Sequence, residues 1–464
     1  MTSVRVLRAL ASPCAQSCEQ SCEQLCVTSC AQSCAQSCAK SRVQSSVQSS
    51  VQSFAQSFAR TPRRFGVRGS NALLARAMGI GALMAWCVAP CPAQRSAPAE
   101  PAGAARPNTL PRQLSDSAFW TLEREISEPG GPWTSDNYTS NEPEVAQEMR
   151  LLRIENHVGG VYLGVGPEQN LSYLAAIRPQ MAFICDIRRG AVMQHLMYKA
   201  IFALARDRAA FISLLFSKPR PPNLDSLTPI AAMWGAFGSV PTDPAMAERT
   251  YAGIVDVLTK THGFTFTPEE SANLRQIWDA FTELGPAIST RGTAQRGGGG
   301  GRGAGRGAGG RGGGGGIGGG GRSADFASLT AAVDATGQVQ SVLSSEENYR
   351  VVQALEARNL VVPVSGDFAG PHALRAIGAY LAAHGATVTA FYVSNVEQYL
   401  FQDGRAGLFY ANVATLPVDE SSVFIRPYAL RAPGEAPLCP IAAFLRANAA
   451  GRVVSNVDAL ECTR

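Results

Sequence analysis

Val161-Tyr-Leu-Gly-Val-Gly-Pro-Glu-Gln-Asn170, with Met181-Ala-Phe-Ile-Cys-Asp186 close behind it, is the stretch on which the fold turns. An apolar run ends in Gly164-x-Gly166, a helix-compatible segment follows, and a second apolar run ends in an acid. This order predicts a strand over about 160–165, a helix to about Ile177 and a second strand over 181–186. Such a unit suits a nucleotide-like ligand. The glycines let backbone approach it, the helix start offers free N–H groups, and the carboxylate can accept bonds from ribose hydroxyls.

Working outward, apolar positions Val192, Met193, Leu196, Met197, Ala200, Ile201 and Leu204 recur at helical spacing and read as core rather than as a cofactor box. Residues 217–291 look helical, and Thr267-Pro-Glu-Glu270 forms a capping box with proline at the first helical position. Alternation resumes after a helix over about Glu346–Arg358. Leu360–Val364 is a strand ending in Ser365-Gly-Asp367, a helix starts at Pro371, and Val388–Val393 is a strand ending in Ser394-Asn-Val-Glu397. Leu408–Ala411 reads as a short strand and Val423–Arg426 as the last one. Strand–helix alternation of this kind predicts a mostly parallel α/β sheet, Rossmann-like in class.

The flanking sequence is of other kinds. Cys14, Cys18, Cys22, Cys26, Cys30, Cys34 and Cys38 repeat every four residues within a low-complexity segment, 1–59. That period lacks the Cys-x-x-Cys pairing that closes a zinc site. Residues 60–93 read as a signal peptide: Arg63, Arg64, Arg68 and Arg76 precede an apolar run too short for a membrane span, and Cys91-Pro-Ala93 predicts cleavage before Gln94. Residues 94–112 are a Pro/Ala linker. The folded domain is then 113–464, with a helical insertion over 217–350 containing a Gly/Arg-rich tether, 292–322, unable to bury a core. Cys439 and Cys462 could pair in an oxidising compartment, although three core cysteines, with Cys185, make a thin disulfide framework.

Charge sharpens the division. Residues 111–290 and 323–464 hold 24 basic and 33 acidic side chains, a net of −9, and the rest of the chain carries +14. A mildly acidic folded part gives no sign of a phosphate-backbone surface, so no nucleic-acid partner is expected, and the glycine turn and strand-end acid point to a small molecule. The five histidines show no metal-ligand spacing, and neither a Gly-x-Ser-x-Gly elbow nor a phosphate-loop lysine motif is present.

In an open parallel sheet the ligand lies outside the carboxyl ends of the strands. The candidates there are Gly164, Gly166, Glu168, Asp186, Arg188, Asp367, Asn395 and Glu397. The separation of Gly164 and Asp186 is about the 20 residues of a dinucleotide fingerprint, but its third glycine is replaced near Gln169 or Asn170.

Over roughly 155–215 and 345–430 the chain resembles class I S-adenosylmethionine (SAM) methyltransferases. Gly164-Val-Gly166 resembles their first motif, Asp186 their ribose-binding acid, and Gly366-Asp367 the pair whose carboxylate faces the adenine amino group. Ser394-Asn395 stands where the fourth motif would be. Gly-Pro-Glu-Gln-Asn, Asp-Ile-Arg-Arg and Ser-Asn-Val-Glu-Gln-Tyr-Leu are also similar to an uncharacterised family of bacterial, often exported proteins of that fold. The chain lacks Asn/Asp-Pro-Pro-Tyr and carries an insertion of about 130 residues between its second and third strand units. The resemblance implies SAM as cofactor, with Asn395 and Glu397 orienting or deprotonating an acceptor and a Trp133–Tyr138 loop as lid. Export is at odds with a cytoplasmic metabolite. Two readings therefore stand side by side: a SAM-dependent transferase, or an exported, catalytically silent small-molecule receptor.

Overall fold

The computed structural model describes residues 107–462 except 134, 143, 291–323 and 427–437. The cysteine repeat, the signal-like segment, most of the linker and the Gly/Arg-rich tether lie outside the described residues.

Two helices, α1 (Asp116–Ile126) and α2 (Val145–Ile154), precede the sheet. The unit read first from the sequence follows as β1 (Val161–Gly164), α3 (Gln169–Ile177) and β2 (Met181–Asp186). Then come α4 (Arg189–Leu204) and α5 (Arg208–Leu215), and in the insertion α6 (Ile230–Gly238), α7 (Pro244–Asp256), α8 (Pro268–Leu284) and α9 (Phe326–Thr330). The second half runs α10 (Glu346–Ala357), β3 (Val361–Ser365), α11 (Ala373–Ala383), β4 (Val388–Tyr392), α12 (Val396–Gln402), α13 (Ala406–Val413), β5 (Val423–Ile425), β6 (Leu438–Pro440), α14 (Ile441–Ala449) and α15 (Asn456–Leu460).

The six strands lie in the order β3-β2-β1-β4-β5-β6. All neighbours are parallel except β5 and β6. Every residue of β1, β2 and β3 is buried, which is why these strands read as unbroken apolar runs: helices cover both faces of the sheet. Register brings Gly164 beside Ile184 and Asp186 beside Ser365, so the polar residues that end the strands emerge at one edge. The methionine stripe of α4 is buried as core from Val192 to Ile201, while Leu204 at the helix end is exposed, and the capping box at Thr267 and Glu270 is made in both directions.

Two expectations fail. Leu408–Ala411 lies inside helix α13, where Phe409, Tyr410 and Val413 face the core. A four-residue apolar run has too few positions to separate a strand period from a helical one. Val423–Ile425 is also not the last strand, since β6 pairs antiparallel with it. With three residues and a proline, β6 carries almost no strand signal, and the edge is where proline is tolerated.

Cys439 of β6 is bonded to Cys462 just beyond α15, across 23 residues of sequence. Closing a loop of that length restricts the unfolded chain by about 3 kcal/mol. Replacing both cysteines with serine is expected to lower unfolding free energy by about that amount in denaturant titrations, and an unchanged midpoint would show the bridge to be dispensable.

Candidate functional site

A cavity of about 560 Å³ opens beyond the carboxyl ends of β1 to β4. Its walls come from the loop before α2, the β1–α3 turn and the ends of β2, β3 and β4. Of the residues predicted from sequence, Gly166, Asp186, Arg188, Asp367 and Asn395 line it; Gly164, Glu168 and Glu397 do not.

The two glycines of the first turn have different work. Gly166 has φ +78°, with no atom within 4 Å of where a Cβ would stand. Only its backbone conformation demands glycine. A Cβ on Gly164 would lie 2.0 Å from Asn170 Oδ1, so that glycine makes room for a side chain of the protein rather than for a ligand. Asn170 is buried, and its Nδ2 donates to the carbonyls of Val165, Gly166 and Pro167 at 2.9, 3.1 and 2.7 Å. Tyr162 OH donates to its Oδ1 at 2.7 Å. His195 Nε2 holds the Gly166 carbonyl at 2.9 Å. Burial lowers the His195 pKa to about 4, so the ring is neutral and donates from Nε2.

Asp186 ends β2 as expected, but much of its capacity is used. Its Oδ1 accepts from the Arg188 backbone N–H at 2.9 Å and from Arg188 Nε at 3.1 Å, and its Oδ2 from Arg188 Nη2 at 2.9 Å. A carboxylate has about four acceptor positions, so roughly one on Oδ2 stays open toward the cavity. Arg188 also donates to the Asp136 carbonyl, tying the preceding loop to this strand end. Asp367 is paired likewise: Oδ1 caps Ala369 N–H at 2.9 Å and Oδ2 meets Arg405 Nη2 at 2.7 Å.

Glu168 and Glu397 take structural positions in place of the predicted ones. Both oxygens of the buried Glu168 accept from Ser140 N–H at 3.1 Å, so it fixes the loop instead of touching a ligand. Glu397 is 2 % exposed and forked by Arg426, with Nε to Oε2 at 2.6 Å and Nη2 to Oε1 at 2.9 Å. Tyr410 OH adds a third bond at 2.9 Å, and the Arg426 guanidinium lies over Phe424 and Phe444. A carboxylate committed to a buried arginine is no free base. Of the expected lid, the Tyr138 end is anchored in the wall: Tyr138 is buried, and Gln194 Nε2 donates to its carbonyl at 2.7 Å. Trp133 stands half-exposed at the mouth, edge-on to Tyr399 at 5.0 Å.

Sequence reasoning missed the buried Glu142. Ser394 Oγ donates to its Oε1 at 2.6 Å and Tyr392 OH to its Oε2 at 2.5 Å, and Gln169 Nε2 donates to Tyr392 OH. Tyr392, Ser394 and Gln169 all line the cavity. Burial raises the Glu142 pKa to about 7 despite those two hydroxyls, which lower it. Thr139 Oγ1 and Gln169 Oε1, also buried on the cavity wall, have no hydrogen-bond partner among the described residues. The available signals were the polar cluster Asn137-Tyr-Thr-Ser-Asn-Glu142 and a tyrosine ending the mostly apolar strand β4.

A family model described as Domain of unknown function (DUF7790) matches residues 138–224 and 326–437. The matched segments hold the cavity wall apart from Trp133, Ser135, Asn137 and Thr290, and the break between them falls in the helical insertion. No curated protein matches the chain.

Burial also raises Glu168 and Glu356 to about 7. Between the ordinary carboxyl value near 4.5 and about 7, the folded protein therefore holds more protons than the unfolded chain at these three glutamates. Their contribution to stability is present at low pH and is lost as pH rises through about 7. His195 acts oppositely, between about 4 and 6.5. The melting temperature is expected to be higher at pH 5.5 than at 7.5. Glu142→Gln should flatten that slope by up to about 1.4 kcal/mol per pH unit, and an unaltered slope would mean that Glu142 titrates normally.

Proposed function

We propose that the chain is a Rossmann-like, class I methyltransferase-like protein that binds a nucleoside-type small molecule, SAM, at the carboxyl ends of its strands. The observation that carries this reading is one cavity reached by Gly166, Asp186, Asp367 and Asn395 at the point where the strand order reverses, between β1 and β4.

The residues fit such a ligand. The open acceptor position of Asp186 suits a ribose hydroxyl, the Gly166 backbone allows close approach, and Asp367 stands one strand further for the base. A volume of about 560 Å³ lies within the range of small-molecule sites. Bound SAM would supply an electrophilic methyl group; the chain's part is to hold an acceptor beside it.

A second reading has an observation of its own. The Cys439–Cys462 bridge suits an oxidising compartment and agrees with a cleaved segment over 60–93. Outside the cytoplasm the same cavity would serve a catalytically silent receptor.

Calorimetry of the full chain with S-adenosylhomocysteine is expected to give binding in the micromolar range. Asp186→Asn, which keeps the shape but removes the charge facing the ribose, should weaken it about tenfold or more. Equal affinity would remove Asp186 from the site, and no binding by the unaltered chain would defeat the SAM reading. Mass spectrometry of the N-terminus from fractionated cells separates the two readings: a chain beginning at Gln94 outside the cytoplasm favours the receptor, and an uncleaved cytoplasmic chain favours the transferase.

A further inference from the structure

We infer that Glu142 is the proton acceptor of this cavity and that Ser394 is the hydroxyl connecting it to a bound acceptor, which is therefore a protic molecule: an alcohol, a phenol or an amine. This inference rests on the transferase reading.

The argument begins with which carboxylates can change state. At the strand ends Asp186, Asp367 and Glu397 are each bound to an arginine, Arg188, Arg405 and Arg426 respectively. Glu142 has two hydroxyls in place of a guanidinium. The groups acting on it are Ser394, Tyr392 and the neighbouring Glu144 carboxylate, and no cation is among them. Among the described residues, Glu148 before β1, Tyr162 of β1 and Tyr173 of α3 are the further titratable groups coupled to it, and none of these is a cation. Burial then leaves Glu142 exchanging its proton near neutrality, where a general base is most effective. Glu168 has a similar value but is held by backbone N–H groups, those of Ser140 and of its own residue, and among the described residues no side-chain hydroxyl bonds to it.

The two hydroxyls on Glu142 differ in role. Tyr392 receives Gln169 Nε2 and gives its proton to Glu142, and burial keeps its own pKa well above the ordinary value. It orients the carboxylate. Ser394 is half-buried on the cavity wall, and its Oγ donates to Glu142 Oε1 at 2.6 Å in preference to Asn395 Oδ1 at 3.4 Å, leaving the oxygen able to accept from a ligand. Its φ of +50° is rare for serine and occurs where β4 turns into α12. Strain of that kind persists only when the surroundings impose it.

The proton balance closes within the chain. As the acceptor's oxygen or nitrogen takes its new bond to carbon, its proton passes to Ser394 Oγ while the Ser394 proton passes to Glu142 Oε1. Glu142 ends as a neutral acid, and the electron pair of the broken bond leaves on the sulfur of the sulfonium donor.

Infrared difference spectra between pH 5.5 and 8.5 are expected to show a neutral carboxylic acid band that disappears in Glu142→Gln. Glu168→Gln and Glu356→Gln separate the contributions of the other two raised glutamates. With S-adenosylhomocysteine, Glu142→Gln and Ser394→Ala should bind within about threefold of the unaltered chain. On a panel of a simple alcohol, a catechol and a primary amine, both should lose about 100-fold in kcat. Tyr392→Phe, which leaves the carboxylate in place, supports the test if Glu142→Gln fails to fold, and should shift the pH profile of kcat. Absence of S-adenosylhomocysteine binding by the unaltered chain would remove the transferase reading and this inference with it. Binding accompanied by full turnover in Glu142→Gln, by a carboxyl band unchanged in that variant, or by no product from any of the panel would overturn this inference alone.

Discussion

One amide group sets the geometry from which the rest follows. Asn170 spends its nitrogen on three successive carbonyls of the turn after β1 and its oxygen on the Tyr162 hydroxyl. A nitrogen facing three carbonyls leaves no choice of amide orientation. This accounts for the missing third glycine of the fingerprint: a side chain stands there and closes the turn from within. Gly164 yields space to it, Gly166 takes the left-handed conformation the turn requires, and Gln169 is delivered to the cavity wall next to the clamp.

Part of the polar wall of the cavity comes from a segment before the sheet. Residues 131–142 are fastened by Gly131 N–H to Ile187 O, by Arg188 to Asp136 O, by Gln194 to Tyr138 O and by Glu168 to Ser140 N–H. Thr290, within the insertion and just before the Gly/Arg-rich tether, adds its hydroxyl to the carbonyls of Thr139 and Ser140. These anchors tie the described part of the segment to the strand ends and to α4, which favours a preorganised binding surface. They also explain why charged residues at the strand ends are mostly paired with one another: arginines that fix loops neutralise the acids nearest them.

The sheet was legible because parallel strands buried on both faces leave apolar runs bounded by glycine and acid, and the α4 stripe and the Thr267 box are local signals of the same strength. Asp186, Asp367 and Asn395 could be placed from topology alone, since strand ends fix position without knowledge of contacts. Glu397 shows the limit of that inference. It follows β4 in sequence as a ligand-facing residue would, yet its arginine partner is 29 positions away, and nothing local announces it. Glu142 was hidden for the opposite reason: it sits in a loop without period, and its significance lies in Tyr392 and Ser394, about 250 residues onward.

The neighbours β1 and β4 meet at Val161 and Val388, with the whole insertion between them. During synthesis β1 and β2 are therefore complete long before the strand that covers the other side of β1 exists. Pairing across so long a separation is slow, and until it occurs an apolar strand edge stays open to other chains. The same topology that assembles the cavity from distant segments gives the emerging polypeptide a long period of exposure, and ties its yield to whatever shields that edge before residue 388 arrives.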